Sequence, residues 1–183
     1  MRPAIMTAGG RYFDITKPEE FPYKAELPAI ASALSNLCRF TGHTSSFYSV
    51  AQHSVLVSHL LPADLALAGL LHDVSEAFLG DVSTPLKMLL PDYRTIEARV
   101  ERAIHKAFGL PETLPPAVKE ADLIALMLED RDLMPAHDDV WFDGKYVLPA
   151  GFSIVPMAPA QARTSFLARY YALAATPRVK AAA

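Results

Sequence analysis

LLHDVSEAFLGDVSTP, Leu70–Pro85, sets a histidine and an aspartate side by side at the end of an apolar run, with Glu76 and Asp81 close behind. ADLALAGLLHDVSEAFL (63–79) reads as one mostly buried helix, apolar on nearly every side. Burying ionisable groups is costly unless they pair with one another or bind a metal. On a helix, residues three and four apart share a face. Glu76 stands four after His72 and three after Asp73, so these side chains can converge on one small volume. His72 and Asp73 splay by about 100° round the axis. Both can still reach one ion in a groove between helices.

A tight site needs further donors. The preceding segment, VAQHSVLVSHLL (50–61), reads as a helix that stops before Pro62 and carries His53 and His59. Six residues apart, the two imidazoles point to different sides, so one of them should face the His72–Asp73 pair. Downstream, Asp122 is a single carboxylate in the apolar context of KEADLIALMLED (119–130). Two imidazoles and two carboxylates make a mixed N/O set that suits Mn, Fe, Co, Ni or Zn. Water bound to such an ion ionises near neutral pH and becomes a nucleophile.

The rest of the chain supplies a helical frame. With 183 residues, 51% of them apolar and 20% charged, it reads as one domain with a substantial core. Apolar runs between prolines and glycines give helices in PAIASALSNLCRF (28–40), DYRTIEARVERAIHKAFGL (92–110), PPAVKEADLIALMLEDRDLM (115–134) and APAQARTSFLARYYALAA (158–175). In the second of these, Ile96, Val100, Ile104 and Phe108 form one stripe. AIMTAGGRYFDI (4–15) reads as a small hairpin, and YVLPAGFSIV (146–155) as a second. The expectation is an all-α bundle of six or seven helices with one or two small β-hairpins. Its core spans about 28–135, followed by an irregular segment and a closing helix over 136–183, with a frayed TPRVKAAA tail. Glu129, Asp130, Arg131 and Asp132 read as a solvated face, and Asp81 after Gly80 as a helix cap.

Charge and composition exclude several classes. A net charge of −3 gives no basic field for a nucleic-acid polymer, so an anionic substrate needs local cations. A lone cysteine, Cys38, excludes an intrachain disulfide and a Cys-rich zinc site. Charges or prolines interrupt every apolar stretch before membrane-spanning length, so no membrane partner is expected. The first residues lack the apolar core of a signal peptide, and a cytoplasmic address is the expectation.

The ordered set His53, His72–Asp73 and Asp122 resembles the signature of the HD-domain metal-dependent phosphohydrolases. RF (39–40), VAQHS (50–54), LLHDVSEAFLGDVSTPLK (70–87) and EAD (120–122) are similar to the subgroup of 5′-deoxynucleotidases and small phage-type dATP triphosphohydrolases. The likeness runs from Arg39 to about Asp130. It implies metal ligands His53, His72, Asp73 and Asp122 around one divalent ion (Co, Mn, Zn, Fe, Ni or Mg). Two-metal relatives carry two more histidines before the last aspartate, and this chain offers His105 alone. Glu76 would handle the proton of the activated water, and Asp81 would act near the scissile phosphate or leaving group. Arg39 and Lys87 would bind phosphate, Phe40 would pack on the nucleoside, and Thr84 and Pro85 would line the sugar pocket. His43, in the loop beside Arg39, is a further candidate to face phosphate. Gln52 stands where relatives often carry glutamate. The implied reaction is attack at the α-phosphorus of a deoxynucleoside mono- or triphosphate, a small-molecule partner, in a chain that the resemblance also allows to be a homodimer. The alternatives are a nucleotide-binding or regulatory HD module with little turnover, a guanosine-tetraphosphate pyrophosphohydrolase, and a metal-stabilised structural protein.

Overall fold

A computed structural model describes residues 3–139 and 146–175. The N-terminal hairpin forms as expected. Strand β1 (Ala4–Met6) pairs antiparallel with β2 (Tyr12–Asp14), with Ile5 opposite Phe13. The hairpin brings Phe13 into an aromatic cluster with Phe21, Tyr23 and Phe78, stacked on Phe78 at 4.0 Å between centroids. The other regular elements among the described residues are helical: two short 3₁₀ turns (Pro18–Glu20 and Phe40–Gly42) and α1 (Leu27–Asn36), α2 (Val50–Leu60), α3 (Ala66–Leu71), α4 (Glu76–Leu79), α5 (Thr84–Lys87), α6 (Pro91–Phe108), α7 (Pro116–Leu133) and α8 (Pro159–Ala175). The fold is all-α with a small hairpin.

Local chemistry accounts for most boundaries. Proline occupies the first turn of α1, α6 and α7, where its missing N–H has no helical partner to lose. Ser49 caps α2 by accepting from the Gln52 N–H at 3.2 Å. Gly109, left-handed at φ 67°, closes α6. On α6, Val100, Ile104 and Phe108 are buried, whereas Ile96 is exposed and the buried stripe begins one turn late.

The buried helix α2 sits in the middle, packed on α1, α3, α7 and α8. The larger core joins α1, α3, α6 and α8 to the aromatic cluster, and a smaller one lies between α2 and α7 around Val57, Ala125 and Leu128. No helix among the described residues is long and apolar enough to cross a membrane.

Two expectations change. The helix expected over 63–79 is split, because His72–Ser75 form a turn between α3 and α4. There the Val74, Glu76, Ala77 and Phe78 N–H groups bond three residues back rather than four. This tighter winding stacks Asp73 and Glu76 one above the other. The second hairpin does not form among the described residues. Side chains take the backbone groups that a partner strand would need. Gln52 donates to the Val155 carbonyl (2.7 Å) and accepts from the Met157 N–H (2.8 Å). Arg131 donates to the Phe152 carbonyl, and Asp132 accepts from the Ile154 N–H. Gln52 is thus a clip between α2 and the extended strap 152–158. Residues 140–145 of the irregular segment and the tail 176–183 lie outside the described residues.

Candidate metal centre and its cavity

His53 stands one turn into α2, fully buried. His72 follows α3, which packs tightly on α2 because Gly69 carries no side chain. A Cβ there would lie 2.4 Å from the Leu61 methyl, 3.3 Å from Val57 and 3.4 Å from the Ser58 backbone. The close approach brings the two imidazoles together at their edges, Nε2 to Nε2 at 3.3 Å, with the ring planes inclined at 51°. Both Nδ1 atoms are tied off behind: His53 Nδ1–H donates to Glu129 Oε1 (2.6 Å) and His72 Nδ1–H to the Gly69 carbonyl (2.8 Å). Each Nε2 is therefore free to ligate.

Two carboxylates complete the group. Asp73 Oδ2 lies 3.4 Å from His53 Nε2 and 3.1 Å from His72 Nε2. From α7, Asp122 Oδ1 lies 3.2 Å from His53 Nε2 and 3.8 Å from His72 Nε2. Ligand atoms of His53, His72 and Asp122 all fall within 4.8 Å of one another. Ligands about 2.1 Å from one ion at right angles lie about 3.0 Å apart, close to these separations. Donor type, spacing and orientation fit a divalent cation.

The electrostatics fit as well. Burial opposes charge on both imidazoles. The surrounding carboxylates outweigh it, raising His53 well above its ordinary value and His72 to about 9. Burial also opposes charge on Asp122, yet both histidines pull that carboxyl down, and Asp73 is held low by the same pair. Asp122 further accepts from Lys119 at 2.7 Å. A cation would sit among anionic oxygens, each already biased to its ionised form.

Asp73 and Asp122 open onto a cavity of about 570 Å³ that Arg39, Phe40, His43, Glu76, Asp81, Thr84, Pro85 and Lys87 also line. Every site residue expected from the sequence is thus at the cluster or on this cavity. Glu76 is buried and its Oε2 has no hydrogen-bond partner. Burial, with Asp73 and Asp81 nearby, pushes its carboxyl well above the usual range. Burial raises Asp81 too. Asp81 is not the cap of α5: that position is Ser83, and its side chain makes no capping bond. Lys87 Nζ donates to Glu97 at 2.6 Å and lies 3.8 Å from Glu76. The loop after Arg39 is held in an unusual shape, with Phe40 and Thr41 both left-handed at φ 53° and 54°. His43 is exposed at the rim. His59 lies outside the cluster on the exposed end of α2. His105 bonds the Glu112 carbonyl and lines a second cavity of about 460 Å³, onto which His72, Asp73 and Asp122 also open.

The structure departs from the expected solvated face at one residue. Glu129 is not part of a solvated face: it is fully buried, between His53 and Arg39. Its position seven residues after Asp122 was the available signal, since two turns of helix return to the same face.

Among curated proteins, the uncharacterized protein YfdR of Escherichia coli is 45% identical over 145 residues, covering 77% of this chain and 80% of YfdR. The uncharacterized protein RCAP_rcc00048 of Rhodobacter capsulatus is 34% identical over 182 residues, covering 90% of this chain and 92% of that protein. The family model described as 5′-deoxynucleotidase YfbR-like matches residues 41–137, the stretch that holds His53, His72, Asp73 and Asp122. With more than half of its length matched, the chain belongs to the 5′-deoxynucleotidase YfbR-like family of HD-domain hydrolases.

Proposed function

We propose that the chain hydrolyses deoxynucleoside mono- or triphosphates at the α-phosphorus. One observation carries this reading: the cluster carboxylates Asp73 and Asp122, the acid Glu76 and the cations Arg39 and Lys87 line a single cavity of about 570 Å³, a size that suits a small-molecule ligand. His53, His72, Asp73 and Asp122 would hold one divalent ion. Bound there, the ion supplies Lewis acidity, offsetting charge on phosphoryl oxygens and lowering the pKa of water.

The remaining work falls to the protein. A water oxygen bonds to the α-phosphorus while the bond to the 5′-oxygen breaks. Glu76 takes the proton that the water loses. Its raised carboxyl is a stronger base once ionised than an ordinary glutamate. Asp81, also raised by burial, serves the departing 5′-oxygen, which leaves as the nucleoside hydroxyl. Arg39 presents a planar fork and Lys87 a point charge to the phosphoryl oxygens, where charge builds in the transition state. Phe40 packs on the nucleoside, Thr84 and Pro85 line the sugar side, and His43 faces the phosphate from the rim. A monophosphate yields inorganic phosphate and a triphosphate yields triphosphate, because both offer the same α-phosphorus.

The test is a panel of ribo- and deoxynucleoside mono- and triphosphates incubated with metal-loaded protein, with products resolved by ion-exchange chromatography. Release of nucleoside with phosphate or triphosphate is the expected result. No product from any member, with metal bound, would replace this reading by that of a binding module.

A further inference from the structure

We infer that Glu129 is a positioning residue shared by the two halves of the site, setting both the metal-facing nitrogen of His53 and the phosphate-facing guanidinium of Arg39. This rests on the reading above. Glu129 has no exposed surface and does not line the cavity, so it touches neither substrate nor ion. Both of its oxygens are committed. Oε1 accepts from His53 Nδ1–H at 2.6 Å, and Oε2 accepts from Arg39 Nε at 3.1 Å with the terminal Nη2 3.0 Å away. Buried Tyr48 also faces this carboxylate.

The two bonds have separate consequences. A proton held on His53 Nδ1 leaves Nε2 bare, directed at His72, Asp73 and Asp122. A guanidinium held at Nε, with Nη2 beside the same oxygen, leaves Nη1 on the cluster side, 3.8 Å from Asp73 Oδ2. One carboxylate therefore orients a ligand from α2 and an anion-binding arm from the connection between α1 and α2, through a single residue of α7. Neither partner can be released cheaply, because a buried carboxylate oxygen would lose a charge-assisted donor. A buried ion pair that merely held helices together would need only one of these bonds.

Glu129→Gln separates this role from simple packing. It preserves volume but replaces one oxygen with NH₂. Whichever way the amide turns, that group meets an N–H donor, either His53 or Arg39. Facing His53, it drives the imidazole proton to Nε2, the nitrogen that must ligate. Facing Arg39, it breaks the fork, and in either orientation the partner left on the amide oxygen loses the carboxylate charge that gripped it.

The experiment uses Mn²⁺ and inorganic phosphate as probes. Mn²⁺ affinity is read from the electron paramagnetic resonance signal of the free ion. Phosphate affinity is read from broadening of its ³¹P resonance at saturating Mn²⁺. In Glu129→Gln, Mn²⁺ affinity should fall about 10- to 100-fold, and phosphate affinity should fall about tenfold with Mn²⁺ still saturating. Loss of only one affinity, or of neither, overturns the shared role. Should the variant fail to fold, ¹⁵N-edited spectra of the metal-free wild-type protein, recorded at a pH high enough to leave His53 neutral, decide: the neutral ring must carry its proton on Nδ1, and a neutral ring protonated on Nε2 overturns the inference. Wild-type protein that binds no Mn²⁺ overturns the hydrolase reading as well. Wild-type binding with an unchanged Glu129→Gln variant removes the role of Glu129 alone.

Discussion

Glu76 shows how much of the chemistry sits on single side chains. It is buried, leaves one carboxylate oxygen without a partner, and lines the cavity beside the cluster without joining it. Glu76→Gln should therefore lower kcat by about 10²- to 10⁴-fold while leaving Mn²⁺ affinity unchanged. Steady-state kinetics and a metal titration on the same preparation check this, and a parallel loss of metal would make Glu76 a ligand instead. Much of the residue scale was legible beforehand. A histidine, an aspartate and a glutamate at i, i+1 and i+4 inside an apolar run have few explanations, and Asp122 raised the same question. The choice of His53 over His59 was not legible from spacing, because helix phase does not say which side a neighbour occupies. Glu129 was hidden by its company. Asp130, Arg131 and Asp132 are partly exposed and paired with His137, with one another and with the strap, and they lend the run a surface character that its first member lacks.

At the scale of elements, the site depends on how closely α3 lies on α2. Gly69 permits that approach, and its carbonyl fixes the His72 ring. Gly69→Val should cost about 1–3 kcal/mol of stability through overpacking and weaken Mn²⁺ binding as well, since moving α3 moves His72. Denaturant unfolding and metal titration measure the two losses; a stable variant with normal metal affinity would show that the spacing is set elsewhere. Gln52 holds a second joint. Its amide donates to one strap residue and accepts from another, which a carboxylate could not do, so the glutamate common at this position in the resembling proteins would lose a bond here. Gln52→Glu should destabilise the fold by about 1–3 kcal/mol with kcat little changed, as read by thermal melting and turnover. Element types were readable from periodicity and from proline and glycine punctuation. The break at His72–Ser75 was not. Its residues are compatible with continued helix, and only the packed context selects the tighter turn. Nor was the missing hairpin readable, because the groups that take its backbone bonds are side chains 21 to 103 residues away.

For the whole molecule, metal and proton compete for one set of atoms. In metal-free protein, burial opposes charge on His72 but Asp73 and Asp122 outweigh it, lifting it from 6.5 to about 9. A group raised in the folded state contributes stability that is complete below its unfolded value and fades as pH rises through its folded value. Metal-free stability should thus fall between about pH 6.5 and 9, and Mn²⁺ affinity should rise over the same window as the proton becomes easier to displace. Melts and titrations across that range should have opposite slopes, and stability that holds level through it would contradict the assignment. Folding has to bring α2, the α3–α4 turn and α7 together before any of this exists, and the most direct measurement is of that convergence. Crystals soaked in Mn²⁺ and recorded for anomalous scattering should show one strong peak within bonding distance of His53 Nε2, His72 Nε2, Asp73 and Asp122. A strong peak elsewhere, or none beside these four groups, would contradict the account.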